Sequence, residues 1–235
     1  MGLLKVLDLF AGLGGWSAAF TVRGHKVITV DIDQQFDVTY HANILNRNAT
    51  FLSDGPFDFI LASPPCEAFS TMRMGRNWNY DLTPKNGTAE MGLRLVIRTL
   101  EIIERFQPRF FIIENPRAML RKFPMMQNYE LRTVTYCRYG EERMKPTDLW
   151  GGFPRSLILR EMCENGNPDH VAAPRGSGTG SQGMGSGSNW AFGKYKAEAA
   201  KVPYQLSWDV CIAAEMDKKI NRELGNMSQE GENFP

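Results

Sequence analysis

The sequence has no long apolar run. Nothing in its 235 residues approaches the roughly 18 consecutive apolar positions of a membrane helix, so no span is expected. Residues 3–10 are interrupted by Lys5 and Asp8, which argues against a secretory leader. An excess of one charge is missing too. With 27 basic and 26 acidic side chains the net charge is +1, so any polyanion must be held by local patches. Cysteine is sparse: the four, at 66, 137, 163 and 211, form no CxxC pair and have no histidine cluster beside them. That sets aside a structural zinc site and a disulfide framework, and a soluble protein of a reducing compartment is expected. The glycine turn at residues 11–15 is not a GxGxxG, so a dinucleotide site is not the first choice there, and there is no internal repeat. A 43% hydrophobic chain of this length can bury one substantial core, so one domain with at most a small appendage is expected.

What is present is organised around residues 57–70. Phe59, Ile60, Leu61 and Ala62 form an uncharged run that reads as a buried strand. Pro64 and Pro65 stop it, because neither donates to a ladder and each fixes φ. Cys66 is thereby delivered just past the carboxyl end of a strand, where reacting groups gather in open α/β sheets. A thiol there can be a nucleophile, especially if a helix starting near Glu67 lowers its pKa. A buried structural cysteine is the plainer alternative.

Residues 3–10 read as a first strand, running into Ala11-Gly12-Leu13-Gly14-Gly15 and then a helix over 16–22. Strand, glycine-rich turn and helix make a ligand-binding corner, or simply a tight turn. A second strand over 27–30 ends in Asp31-Ile32-Asp33, with Asp31 placed for ribose hydroxyls and Asp33 for capping a helix through Tyr40. A third short strand is expected over 49–52, leading to Asp54. Residues 71–90 mix Arg73, Arg76, Trp78 and amides with little periodicity, which suggests a mobile lid suited to phosphate contact and base stacking, or an ordinary solvated loop. Helical spacing over 90–106 predicts a crossover helix, followed by a strand over 109–113 whose tip carries Glu114-Asn115-Pro116. A helix and loop over 118–129 precede a strand over 131–136; Arg143 and Lys145 then share one face of an extended segment. A strand pair is expected from 148–153 and 157–159. Residues 173–189, with six glycines, read as a flexible loop, 202–220 as a closing helix, and the tail from 221 as frayed.

In this order, Asp8-Leu9-Phe10-Ala11-Gly12-Leu13-Gly14-Gly15, Asp31, Ser63-Pro64-Pro65-Cys66, Glu114-Asn115-Pro116 and Arg143-Met144-Lys145 resemble the DNA (cytosine-5)-methyltransferase family. The resemblance spans nearly all of residues 3–160, with a fainter match at 202–212. It implies a Rossmann-like α/β fold binding S-adenosylmethionine, with a mostly parallel sheet and helices on both faces. It assigns the cofactor to Phe10, Gly12, Gly14, Asp31, Ile32, Asp54, Pro64 and Ser207. Catalysis falls to Cys66, Glu114, Arg143 and Lys145, and DNA contact to Ser70, Arg73, Arg76 and Trp78. Glu141 and Lys145 depart from the family's Gln and second Arg, and Lys lacks the planar fork of Arg. Residues 1–160 read as the catalytic domain, 161–201 as a segment in place of a large target-recognition domain, and 202–235 as a returning helix. The whole resembles short phage-encoded members, acting in the cytoplasm of a bacterial or phage-infected host, with restriction–modification as its setting and an accessory recognition subunit as a possible partner.

The chemistry requires these residue types. Cytosine C5 is too weak a nucleophile to attack a methyl sulfonium; a thiolate adding at C6 makes C5 an enamine carbon. Charge then moves toward N3, where a carboxylic acid stabilises it. Those roles fall to Cys66 and Glu114, with Arg143 on O2 or on Glu114 and Lys145 assisting. The base must first be extruded from the duplex. The same chemistry on RNA, and a catalytically weak cofactor- or nucleic-acid-binding module, are the competing readings.

Overall fold

The computed structural model describes residues 2–164, 167, 197–198 and 200–231. Seven strands form its one sheet: β1 (Lys5–Leu9), β2 (Lys26–Asp31), β3 (Tyr40–His41), β4 (Phe59–Ala62), β5 (Phe110–Pro116), β6 (Glu130–Thr135) and β7 (Pro146–Gly152). Their spatial order is β3-β2-β1-β4-β5-β7-β6. The first five run parallel, and β7 is antiparallel to both neighbours. The helices are α1 (Ala18–Val22), α2 (Met74–Asn77), α3 (Gly87–Phe106), α4 (Pro124–Gln127) and α5 (Tyr204–Gly231). None is long and apolar enough to cross a membrane.

Alternation along each strand divides the core into two layers. Leu7, Leu9, Ile60, Ala62 and Ile113 face Val96, Ile102 and Ile103 of α3. Val6, Phe59, Leu61, Phe110 and Ile112 face Phe20 of α1 and Leu206, Val210 and Ala214 of α5. The α3 start is fixed by its Asn86 cap, whose side chain accepts the Ala89 N–H, a contact worth about 1 kcal/mol. Returning α5 is locked to the sheet by Glu215, which takes a bidentate grip from Arg23 at 2.6–2.7 Å and lies 3.0 Å from His25 Nε2. His25 Nδ1 accepts the Leu4 N–H, so its proton sits on Nε2, facing Glu215. With its nitrogens used this way and the carboxylate held by Arg23, the His25–Cys211–Glu215 cluster is a clamp and not a ligand set.

Several expectations are corrected. The run over 49–52 is not a strand but part of a 3₁₀ turn, Thr50–Ser53, and the third strand is the two-residue β3. No helix follows Asp33; its carboxylate instead accepts the Gln35 N–H in a local turn. The 71–90 loop is ordered into a 3₁₀ turn, α2, and a bridged turn joining Trp78 to Pro84. Residues 157–159 form no strand; β7 pairs instead with β5 and β6. The helix expected to fray at 221 continues to Gly231. Residues 173–189 lie outside the described residues.

Candidate active site

Every chemically interesting turn leaves the sheet at one edge. There, a cleft of about 550 Å³ opens among Asp8, Phe10, Gly12, Asp31, Ile32 and Ser63. The glycine turn is tied to β2: Ala11 N–H donates to the Val30 carbonyl, and Gly12 N–H donates to Asp31 at 2.9 Å. The other oxygen of Asp31 accepts the Asp33 N–H. Phe10 adopts φ of 60°, a strained conformation for a bulky residue, and faces the cleft. Gly15 admits no side chain, since a Cβ there would stand 2.6 Å from the Val202 backbone nitrogen. Thus the segment preceding α5 closes the cleft from the other side.

Asp8 is the residue that the sequence reading left without a role. It lines the cleft, is 1% exposed, and has no hydrogen-bond partner in good geometry at either carboxylate oxygen. Burial pushes its carboxyl to about 7; the nearby Ser17 hydroxyl and N–H pull it down, and Asp31 adds to the rise. A buried carboxyl in the cleft wall, met only loosely by Ser17, fits a ligand that brings positive charge, as the sulfonium and ammonium of S-adenosylmethionine do.

The nucleophile turn is held just as firmly. Asn115 donates to the Pro64 carbonyl at 2.8 Å, and the Trp16 indole N–H donates to Ser63 at 3.0 Å. Behind Cys66, Asn77 and the Trp78 indole N–H donate to the Ala68 carbonyl, and a Cβ on Gly92 of α3 would stand 2.3 Å from the Ala68 side chain. Cys66 as a residue is exposed, yet desolvation of its thiol dominates and raises its pKa. Lys145 opposes this, and Glu114 reinforces it. The Cys66 thiol, the Lys145 ammonium and the Glu114 carboxyl therefore share one electrostatic neighbourhood. Glu114 is 4% exposed and accepts a 3.0 Å hydrogen bond from the Tyr136 hydroxyl. Arg143 lies 3.4 Å from Glu141.

Of the expected cofactor residues, Phe10, Gly12, Asp31 and Ile32 line the cleft. Four others do not. Gly14 shapes the turn, donating to the Ala11 carbonyl, while Gly15 lines the cleft. Pro64 accepts from Asn115, and it is Pro65 that faces the cleft. Ser207 is fully buried and pins α5 to α1, donating to the Trp16 carbonyl and accepting the Ala19 N–H. Asp54 sits at the far edge: its carbonyl accepts from Lys5, which opens β1. Ser70 is partly buried, and Arg73 and Arg76 are exposed beside the nucleophile turn. Trp78 cannot stack on a base, because it is 3% exposed, stacked on Phe69 and edge-on to Phe123. The exposed aromatic of that turn is Tyr80.

A doubly covered, mostly parallel sheet with its glycine corner, acidic β2 tip and cleft at the carboxyl edge defines a Rossmann-like α/β protein built to take a nucleotide-type cofactor. The profile described as "C-5 cytosine-specific DNA methylase" matches residues 4–129. The chain belongs to that family.

It is 33% identical over 197 residues to a probable DNA (cytosine-5)-methyltransferase of Frog virus 3, covering 77% of this chain and 90% of that one. It is also 33% identical over 128 residues to the type II methyltransferase M1.HphI of Haemophilus parahaemolyticus, covering 48% of this chain and 32% of that protein. Among solved structures, the Entamoeba histolytica methyltransferase EhMeth matches with a TM-score of 0.50 at 12% identity, over 70% of this chain and 57% of that one, a likeness of fold alone.

Proposed function

We propose that this DNA cytosine-5 methyltransferase works by covalent attack of Cys66 on C6 of an extruded cytosine, with Glu114 serving N3 and the 4-amino group. The observation that carries the reading is the meeting of thiol, carboxyl and ammonium at the ends of β4, β5 and the segment before β7, beside the cofactor cleft. S-adenosylmethionine supplies an electrophilic methyl, and Phe10, Gly12, Asp31, Ile32 and Asp8 would hold it. Cys66 adds to C6 and electron density shifts toward N3, where Glu114 gives its proton or a hydrogen bond. Removal of the C5 proton after transfer re-forms the double bond and expels Cys66. Lys145 steadies the thiolate that this requires, and Arg143 is assigned to O2 of the base.

Arg73 and Arg76 are assigned to phosphates flanking the target, and Tyr80 takes the stacking role first read into Trp78. Tyr80 suits it because the turn carrying it is braced: Asp81 accepts from Thr83 N–H and hydroxyl, and Asn79 N–H donates to the Thr83 carbonyl. Target choice rests on this small surface or on an accessory recognition chain. The test is transfer of labelled methyl to matched DNA and tRNA substrates, with sequencing for 5-methylcytosine. Label in cytosine C5 of DNA supports the reading. Label only in tRNA, or none on either with cofactor bound, overturns it.

Asp8 gives the cofactor cleft a pH dependence. In the free protein its proton is held up to about 7, whereas the unfolded chain releases it near 4. The native state therefore binds more protons between these values, and this group's contribution to stability falls as pH rises through that window. A cationic ligand favours the Asp8 anion, so S-adenosylmethionine should bind about ten-fold more tightly at pH 8 than at pH 6. Calorimetric titrations of wild type and Asp8→Asn at both values check this. The variant should bind weakly and almost independently of pH; an equally flat wild-type response contradicts the assignment.

A further inference from the structure

The structure assigns a positioning role to Tyr136, which holds Glu114 through its hydroxyl and carries the Lys145 ammonium on its ring. This rests on the reading of Cys66 and Glu114 given above. Tyr136 is 1% exposed, so its hydroxyl is committed to protein partners. It donates to Glu114 Oε1 at 3.0 Å, which leaves Oε2 for the base. The Thr147 side chain is the other polar group at that hydroxyl. The face of the same ring lies 4.6 Å from Lys145 Nζ, a cation–π distance. The two residues are also tied through the backbone, with Tyr136 N–H donating to the Lys145 carbonyl.

One aromatic side chain thus sets two charged groups that both act on the Cys66 thiol. The arrangement suits the lysine at position 145. A lysine is a point charge on four rotatable bonds and cannot orient a carboxylate as a guanidinium fork does. Here the ring restrains the ammonium, and the hydroxyl fixes the carboxyl. Topology explains why the pair meets at all: Thr135, which ends β6, lies opposite Pro146, which opens β7, while Glu114 on β5 pairs with Leu149 farther along β7. The 3₁₀ turn beginning at Tyr136 is thereby delivered over the β5 tip.

The experiment compares wild type, Tyr136→Phe, Tyr136→Leu, Glu114→Gln and the double variant Tyr136→Phe/Glu114→Gln in single-turnover methylation of DNA at saturating S-adenosylmethionine. Phe keeps the ring under Lys145 and removes only the hydrogen bond to Glu114. Its expected effect is a rate loss of about 10- to 100-fold with KM for DNA unchanged, the range of a charge-assisted hydrogen bond. Leu removes ring and hydroxyl together and should lose more. In the Glu114→Gln background the Phe substitution should cost far less, because the hydroxyl acts through that carboxyl and the two losses do not add. Replacing Tyr136 with 3-fluorotyrosine, a donor of the same shape, should restore the rate that Phe loses and keeps the test open if Phe fails to fold. Non-additive losses with rescue by the fluorinated ring support the role. A loss that merely follows melting temperature and is equal in both backgrounds overturns it. Wild type that transfers nothing to DNA defeats the underlying reading and this one with it, whereas active wild type beside an equally fast Tyr136→Phe defeats only this one.

Discussion

Cys66→Ser should lower methyl transfer to DNA by about a thousand-fold or more, because a serine hydroxyl in the same turn has no accessible anion to add at C6. The substitution exchanges one atom at an exposed position, and the turn around it does not depend on the sulfur. Asn115 holds Pro64, Trp16 holds Ser63, and Asn77 with Trp78 holds the carbonyl of Ala68. The residues lining the cofactor cleft include Ser63 and Pro65 but not Cys66, so S-adenosylmethionine should bind the variant as it binds wild type. Melting curves and cofactor titrations separate loss of chemistry from loss of fold. A serine variant with wild-type turnover would remove the covalent step from the account.

Glu114→Gln carries the second large effect, a fall of about a hundred- to a thousand-fold in the single-turnover rate. The side chain is buried at the tip of β5, so the change must be near-isosteric to be informative. Gln can still accept the Tyr136 proton through its amide oxygen, which avoids an orphaned hydroxyl and holds the stability change to about 1 kcal/mol. What it cannot do is supply a proton as density moves toward N3. Rapid-quench measurement at saturating DNA and cofactor reads the chemical step. A rate unchanged within error would place N3 stabilisation on another group.

The sheet and most of the site were legible because they rest on strong local signals. The uncharged run Phe59 to Ala62 followed by two prolines announces both β4 and the turn that carries Cys66. Periodicity over 90–106 announces α3, and Glu114 and Asp31 stand at the ends of apolar runs. What failed had no such signal. β3 is two residues long and carries no period, so the apolar run over 49–52 took its place and led to Asp54, at the wrong edge of the sheet. The tip of β3 is followed by Asn43, whose side chain closes a local turn with the Leu45 N–H. Trp78 was misjudged because composition cannot separate an aromatic that stacks on a ligand from one buried beneath the loop bearing it. Ser207 looked like a site residue by its order in the chain, while its hydroxyl serves the contact between α5 and α1. Tyr136 was out of reach for a different reason. It stands 22 positions from Glu114 and meets it only through the antiparallel pairing of β5, β7 and β6. Asp8 was visible, but its burial in the cleft wall, with no hydrogen bond of good geometry, was not.

The most direct measurement of the covalent step uses DNA carrying 5-fluorocytosine at a methylated position. Fluorine leaves no C5 proton to remove, so the elimination that expels the thiol cannot occur and the adduct accumulates. Protein and DNA should then remain joined through denaturation in a cofactor-dependent manner, with peptide mapping placing the bond on Cys66. An enzyme that methylates ordinary DNA yet forms no adduct with the fluorinated strand, or forms it at another residue, would contradict the account.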